Sequence, residues 1–143
     1  MSIANLHGFD VVSIPDKKVL QRVEIAPEHP GPPRPRDFET PDTASHGLVL
    51  SADESEVWVT SMLDDSIYVY DLKSKKVVGQ VKTGDGPNWV VLSPDGKLVC
   101  VSNTGSEDVS IINAKERREV ARVKVGKAPK RIAVASSNQA TVN

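Results

Sequence analysis

With 143 residues, 18 basic against 19 acidic side chains and a formal net charge of -1, the chain is sized for one domain. Nothing in that balance directs it to nucleic acid, a membrane surface or a strongly acidic partner. Its single cysteine, Cys100, excludes an internal disulfide framework, and no window approaches the roughly 18 apolar residues that span a bilayer.

Residues 1–25 contain FDVVSIPDKKVLQRVEI, two runs rich in branched aliphatic side chains about a Pro-Asp-Lys break, and no basic segment followed by an apolar stretch precedes them. Residues 26–45 carry Pro27, Pro30, Pro32, Pro33, Pro35 and Pro41, which preclude helix or a central strand and predict extended or irregular chain. His29, Arg34 and Arg36 give this insert polar handles, of use to a lid over a ligand; a tether is the simpler reading.

Residues 46–87 read as four short strands separated by turn signals. GLVLS predicts an inner strand buried on both sides. EVWVTS alternates, with Val57 and Val59 on one face and Trp58 on the other. SIYVYDL alternates as well, and KVVGQVK, more polar and expected to be shorter, predicts an outer edge strand protected by lysine and glutamine. Residues 88–129 then repeat the whole pattern without a gap at a shift of 42, the distance from Pro87 to Pro129. Identities fall on strand and turn positions, among them Ser51/Ser93, Asp53/Asp95, Val57/Val99, Val59/Val101, Val81/Val123 and Gly84/Gly126. SADES in one unit and SPDGK in the other form the first hairpin, where Pro94, Asp95 and Gly96 supply tight-turn chemistry.

The opening segment lies over Ile67 to Thr83 at a shift of 58, pairing Val11 with Val69 and Val23 with Val81. The chain therefore starts with the third and fourth strands of a unit. At the other end, KRIAV in residues 130–143 matches the inner strand, and QATVN resembles a poor second one. Four-stranded antiparallel units of this length are β-propeller blades, so the predicted fold class is all-β with an incomplete ring. Propellers close with roughly 4 to 8 blades, and two whole blades plus two partial ones fall short. The expectation is that this chain is part of a longer protein, that copies of it complete a ring by oligomerisation, or that its ends pair with another subunit. Exposed strand edges predict an oligomer or aggregate by light scattering.

Ser93-Pro94-Asp95-Gly96-Lys97, Val99, Val101, Asn103, the Val109-Ser110-Ile111-Ile112 strand and the Val125-Gly126 exit resemble the repeat of YVTN-type, YncE-like β-propeller proteins of bacteria and archaea. The resemblance covers nearly all of the chain outside the insert; Trp58 and Cys100 replace the usual strand-two tyrosine, and SADES lacks the Pro-Asp-Gly turn. It implies a propeller fold. For function it implies either a binding protein or the propeller part of a haem or quinone oxidoreductase. By the same analogy the compartment is periplasmic or extracellular.

In a propeller the loops between strands two and three share a face with the exits from strand four. That face would carry His46, Asn88 and Lys130 at equivalent positions near the axis, with Trp89 beside them, and these are the expected ligand contacts. A solvated channel lining is the simpler reading. Asp64 and Asp65 in one loop and Glu107 and Asp108 in the next, with Asn103, complete the candidate face; the acidic pairs read as a solvated rim, since their spacing supplies no calcium site. His7, His29 and His46 are too dispersed for zinc, Cys100 reads as a small, partly buried hydrophobe, and no phosphate loop, GxSxG elbow or CxxCH occurs. No cofactor or metal is expected, and no residue is assigned a catalytic role. The leading function is thus a non-catalytic binding module with an unknown small ligand or protein on this face. The rivals are a lactonase or oxidoreductase fragment with an axial cofactor or metal near His46, and a purely structural assembly unit.

Overall fold

The computed structural model describes residues 1–2, 6–26 and 44–136, which form ten strands and no helix. Blade 1 is the hairpin β1 (Gly8–Ser13) and β2 (Lys18–Glu24). Blade 2 is β3 (Leu48–Leu50), β4 (Glu56–Ser61), β5 (Ser66–Asp71) and β6 (Lys76–Lys82); blade 3 is β7 (Pro87–Leu92), β8 (Leu98–Asn103), β9 (Asp108–Asn113) and β10 (Arg118–Lys124). Both four-stranded sheets are antiparallel meanders with strands in sequence order. An isolated bridge from Ser2 to Phe9 matches the Thr60–Ile67 pair of blade 2 and the Ser102–Val109 pair of blade 3, so residues 1–2 supply a remnant of strand two.

Turn chemistry repeats with the strands. Ser51 and Ser93 donate to Asp53 and Asp95 at 2.6 Å in both hairpins, while their oxygens accept the amides of Glu56 and Leu98 at 2.9 Å. Hydrogen bonds from Ser51 and Ser55 push the Asp53 carboxyl down to about 2. The left-handed position of this turn is held by Gly96 in blade 3 (φ 71°) but by Glu54 in blade 2 (φ 57°). A side chain there costs about 1 kcal/mol or more, so Glu54→Gly is expected to stabilise the protein by roughly 1 kcal/mol in urea unfolding. The basic turns between strands three and four also share one conformation, with φ of 53°, 57° and 50° at Lys17, Lys75 and Arg117.

Strand four departs from expectation. At seven residues β6 and β10 are longer than their third strands, because each contains a β-bulge. The register skips Val78 in β6 and Val120 in β10, and it skips Leu20 at the matching place in β2. One extra residue per outer strand increases the local twist and breaks the flat edge that would template aggregation. Gln80 turns inward instead of guarding that edge. The inner strand is not buried on both sides either: β3 pairs only with β4, and Leu50 is 46% exposed. KRIAV forms no strand, since no second strand lies beside it among the described residues.

Two cores lie between blades. Phe9, Val23 and Ile25 of blade 1 pack with Val57, Val59, Tyr68 and Tyr70 of blade 2. Trp58, Ile67, Val69 and Val81 on the other face of blade 2 pack with Val90, Val99, Val101 and Ile112 of blade 3. The period-2 alternation of β4 and β5 thus feeds two separate interfaces, each buried branched side chain contributing about 1.5–3 kcal/mol. Arg117 adds a latch by donating to the Val78 carbonyl at 2.7 Å and to Glu56, with its stem over Gly79.

Candidate functional site

Along the inner ends of the blades, one hydrogen bond recurs at each junction. The hydroxyls of Ser2, Thr60 and Ser102 occupy equivalent strand-two positions and donate to the backbone carbonyls of His46, Asn88 and Lys130, at 3.4 Å and 3.3 Å for the first two. The same Thr60 and Ser102 oxygens accept the amides of Gly47 and Trp89 at 2.9 and 3.1 Å. A single small hydroxyl therefore satisfies its own blade and positions the next. Its consequence is that the three candidate axial residues have fixed backbones.

Their side chains differ in access. His46 is half-buried, and burial, with the nearby Lys130 charge as the smaller cause, lowers its pKa. Lys130 is exposed. Asn88 sits at a bulge in β7 and is buried, which leaves little of it open to a ligand. Trp89 is half-buried, and the Arg131 guanidinium stands 5.4 Å from its ring centroid, within cation–π range. Gly47, Trp89 and Arg131 are equivalent residues, so the stack joins β7 to the segment at the matching place in the next unit.

The acidic loops are not a solvated rim. Asp64 is buried and accepts hydrogen bonds from Ser61 (2.6 Å), Tyr68 (2.6 Å) and Gln80 (2.9 Å). Asp108 is buried too, with Asn103 and Ser106 donating to Oδ1 at 2.8 Å. Burial alone would raise the Asp108 pKa, but those hydrogen bonds and the charges of Arg122 and Lys124 hold it below the usual carboxylate range. The Asp65 carboxylate accepts the Gly86 amide at 2.8 Å, and only Glu107 is exposed. A polar side chain buried in a loop must find partners, and these short loops meet that need by turning their carboxylates inward. Asn103 is itself buried, donating to Asp108 and Ser110 while its Oδ1 makes no hydrogen bond. His29, Arg34 and Arg36 lie outside the described residues.

Sequence reasoning missed His7, Ser61, Tyr68 and Gln80. The His7 imidazole approaches Ser61 Oγ at 2.9 Å, edge-on to Tyr68 with centroids 6.0 Å apart, and Ser61 passes the contact to Asp64. The signal was positional: His7 lies over Asp65 at the 58-residue shift. Burial lowers the His7 pKa against the opposing pull of the Ile25 backbone and the Asp64 charge, and its Nδ1 is buried without a hydrogen bond. Both His7 and His46 therefore favour the neutral form when folded. Their contribution is fully present above the ordinary value of 6.5 and is lost as pH falls below it. Urea midpoints are expected to drop between about pH 7 and pH 5, with a shallower drop in His7→Gln.

Among the described residues no three His, Cys, Asp or Glu side chains are grouped to hold a metal ion. The arrangement offers cationic side chains, a half-buried imidazole and an aromatic face near the inner strands, while Asp64 and Asp108 are engaged by donors from their own blades.

Similar folds occur in much larger proteins. Hydrazine synthase of Kuenenia stuttgartiensis is 27% identical over 60% of this chain, with a TM-score of 0.58. A dihydro-heme d1 dehydrogenase, NirN, solved in complex with DHE, covers 87% of this chain at 21% identity with a TM-score of 0.62, a likeness of fold alone. The chain spans about a quarter of each, 24% in both cases. No curated protein matches it. The family model of lactonase, 7-bladed β-propeller, matches residues 8–139, and the chain belongs to that family.

Proposed function

We propose that this chain is a non-catalytic binding portion of a β-propeller, of the YVTN-type its repeat resembles, and that it holds an anionic small molecule at the inner ends of its blades. The observation that carries this reading is the recurrence of one backbone contact at His46, Asn88 and Lys130, which sets Lys130 at the axial position equivalent to His46, next in the chain to the Arg131 that stands over the Trp89 ring. Two neighbouring cationic side chains, Lys130 and Arg131, attract a carboxylate or phosphate. The inward turn of Asp64 and Asp108 supports it from the other side, since those carboxylates are engaged in holding loops and are withdrawn from acid–base duty.

Citrate and inorganic phosphate serve as probes. Each is expected to raise the melting temperature of the chain, and His46→Ala or Lys130→Ala to abolish that rise; an unchanged rise in both variants would move the site elsewhere. The family's lactonase description supports a second, catalytic reading, with a cofactor or metal near His46. Two measurements separate the readings: hydrolysis of a lactone by the freshly purified protein, or a haem or quinone band in its absorbance spectrum, contradicts the binding reading.

A further inference from the structure

The outer strands β2, β6 and β10 share a pattern that neither the cores nor the axial groups use. In each, the preceding turn holds a cation in the left-handed conformation, a second cation follows, and an apolar residue stands at the bulge. The sets are Lys17, Lys18 and Leu20 in blade 1, Lys75, Lys76 and Val78 in blade 2, and Arg117, Arg118 and Val120 in blade 3. Leu20, Val78 and Val120 are 57%, 40% and 44% exposed. Blade 2 has a blade packed on either side, so the exposure of Val78, and of Val77 beside it, belongs to the outer perimeter and not to an end of the chain.

A side chain in the left-handed region is strained where glycine is not. In blade 3 Arg117 has a use within the fold, through Glu56 and the Val78 carbonyl. Lys17 and Lys75 have none. Both are exposed, and with their neighbours Lys18 and Lys76 they enter no ion pair among the described residues. The acids of the same two turns are engaged locally, Asp16 by the Ser13 hydroxyl at 2.8 Å and Asp71 by the Ser74 amide. Backbone strain with no internal contact to offset it marks positions that meet something outside the fold.

We propose that the outer strands of blades 1 and 2 dock an acidic, apolar segment of another protein, its carboxylates meeting the paired lysines and its apolar side chains covering Leu20 and Val78. The bulge at each of these residues interrupts the strand edge, which disfavours a partner added as a further strand and favours one held through side chains. A broad anionic surface such as a membrane is a poorer match. The hairpins between strands one and two lie at the same end of the blades, and Asp53, Glu54 and Asp95 are exposed there, so negative charge stands inside the basic row. A narrow segment following the perimeter avoids it.

A fluorescein-labelled peptide of alternating glutamate pairs and leucine pairs, followed by anisotropy at low salt, tests this. Saturable binding is expected, about tenfold or more tighter than for the matching lysine and leucine peptide. Lys75→Gly separates binding from folding, because it is expected to raise the urea midpoint by relieving the left-handed strain and at the same time to weaken the peptide severalfold. Val78→Ser is expected to weaken it as well, and Lys97→Ala in an inner hairpin to leave it unchanged. Absence of saturable binding overturns the proposal, and so does binding unaltered by both Lys75→Gly and Val78→Ser. Polyglutamate bound as tightly as the mixed peptide would reduce the site to charge alone and overturns it too. Phosphatidylserine vesicles bound with the same dependence on Lys75 would assign the perimeter to a lipid surface, against the protein segment.

Discussion

Trp58→Ala is expected to cost about 3–5 kcal/mol, the range for truncating a large buried aromatic side chain. Trp58 is 1% exposed at the centre of the interface between blades 2 and 3, against Ile67, Val69 and Val81 from its own blade and Val90, Val99 and Val101 from the next. Its loss leaves a void between two sheets whose backbones are held at a fixed separation by the Thr60 and Arg117 hydrogen bonds, so collapse is restricted. The melting temperature should fall by roughly 10 °C or more. Cys100→Ala provides an internal control, since Cys100 is the same position one blade later and only half-buried. It is expected to cost about 1 kcal/mol or less. Equal losses at the two positions would mean that blade 3 is covered in solution by something that packs as tightly as blade 3 packs on blade 2.

Gly84→Ala is the second large effect, and it acts through polar groups. A Cβ at Gly84 would lie 2.3 Å from Ser106 Oγ, 2.5 Å from Asp108 Oδ1 and 2.6 Å from Asn103 Nδ2. Asn103 Nδ2 and Ser106 Oγ both donate to Asp108 Oδ1, so none of the three retreats without breaking a hydrogen bond to that buried carboxylate. Overpacking combined with loss of a charge-assisted hydrogen bond amounts to about 3 kcal/mol or more. Gly126 stands at the equivalent exit with open space around its Cα, and Gly126→Ala is expected to leave the urea midpoint almost unchanged. Similar destabilisation by the two substitutions would show that the exit glycine is needed for backbone freedom alone and that the Asp108 network is dispensable.

The strand and turn pattern was legible because it depends on residues close in the chain. Alternation at Val57, Trp58 and Val59 announced which side chains leave the sheet on which face, and the structure sends them to two different cores. Ser51 and Asp53, repeated as Ser93 and Asp95, announced a hairpin whose hydrogen bonds recur at the same lengths. The bulges at Leu20, Val78 and Val120 were not legible. A bulge is a mismatch between two strands, and it shows only when the register of strand four is set against strand three. Asp64 and Asp108 were placed on a rim because acidic loop residues usually face water; here the loops are too short to expose them once Tyr68, Gln80 and Asn103 offer donors from the sheets.

The sequence by itself determined the blade: its four strands, its turn residues, its 42-residue period and the alignment of His46, Asn88 and Lys130 as equivalents. Tertiary structure alone decided which equivalents are alike in environment. Trp58 and Cys100 each lie between two valines, and Val81 and Val123 hold one position of strand four, yet each pair has different neighbours through space. Backbone conformation follows from local sterics and repeats with the sequence, but burial and pKa depend on what the next blade brings. That is why burial lowers the pKa of the axial His46 and why His7, considered in the sequence only as a metal ligand, reaches Asp64 through Ser61.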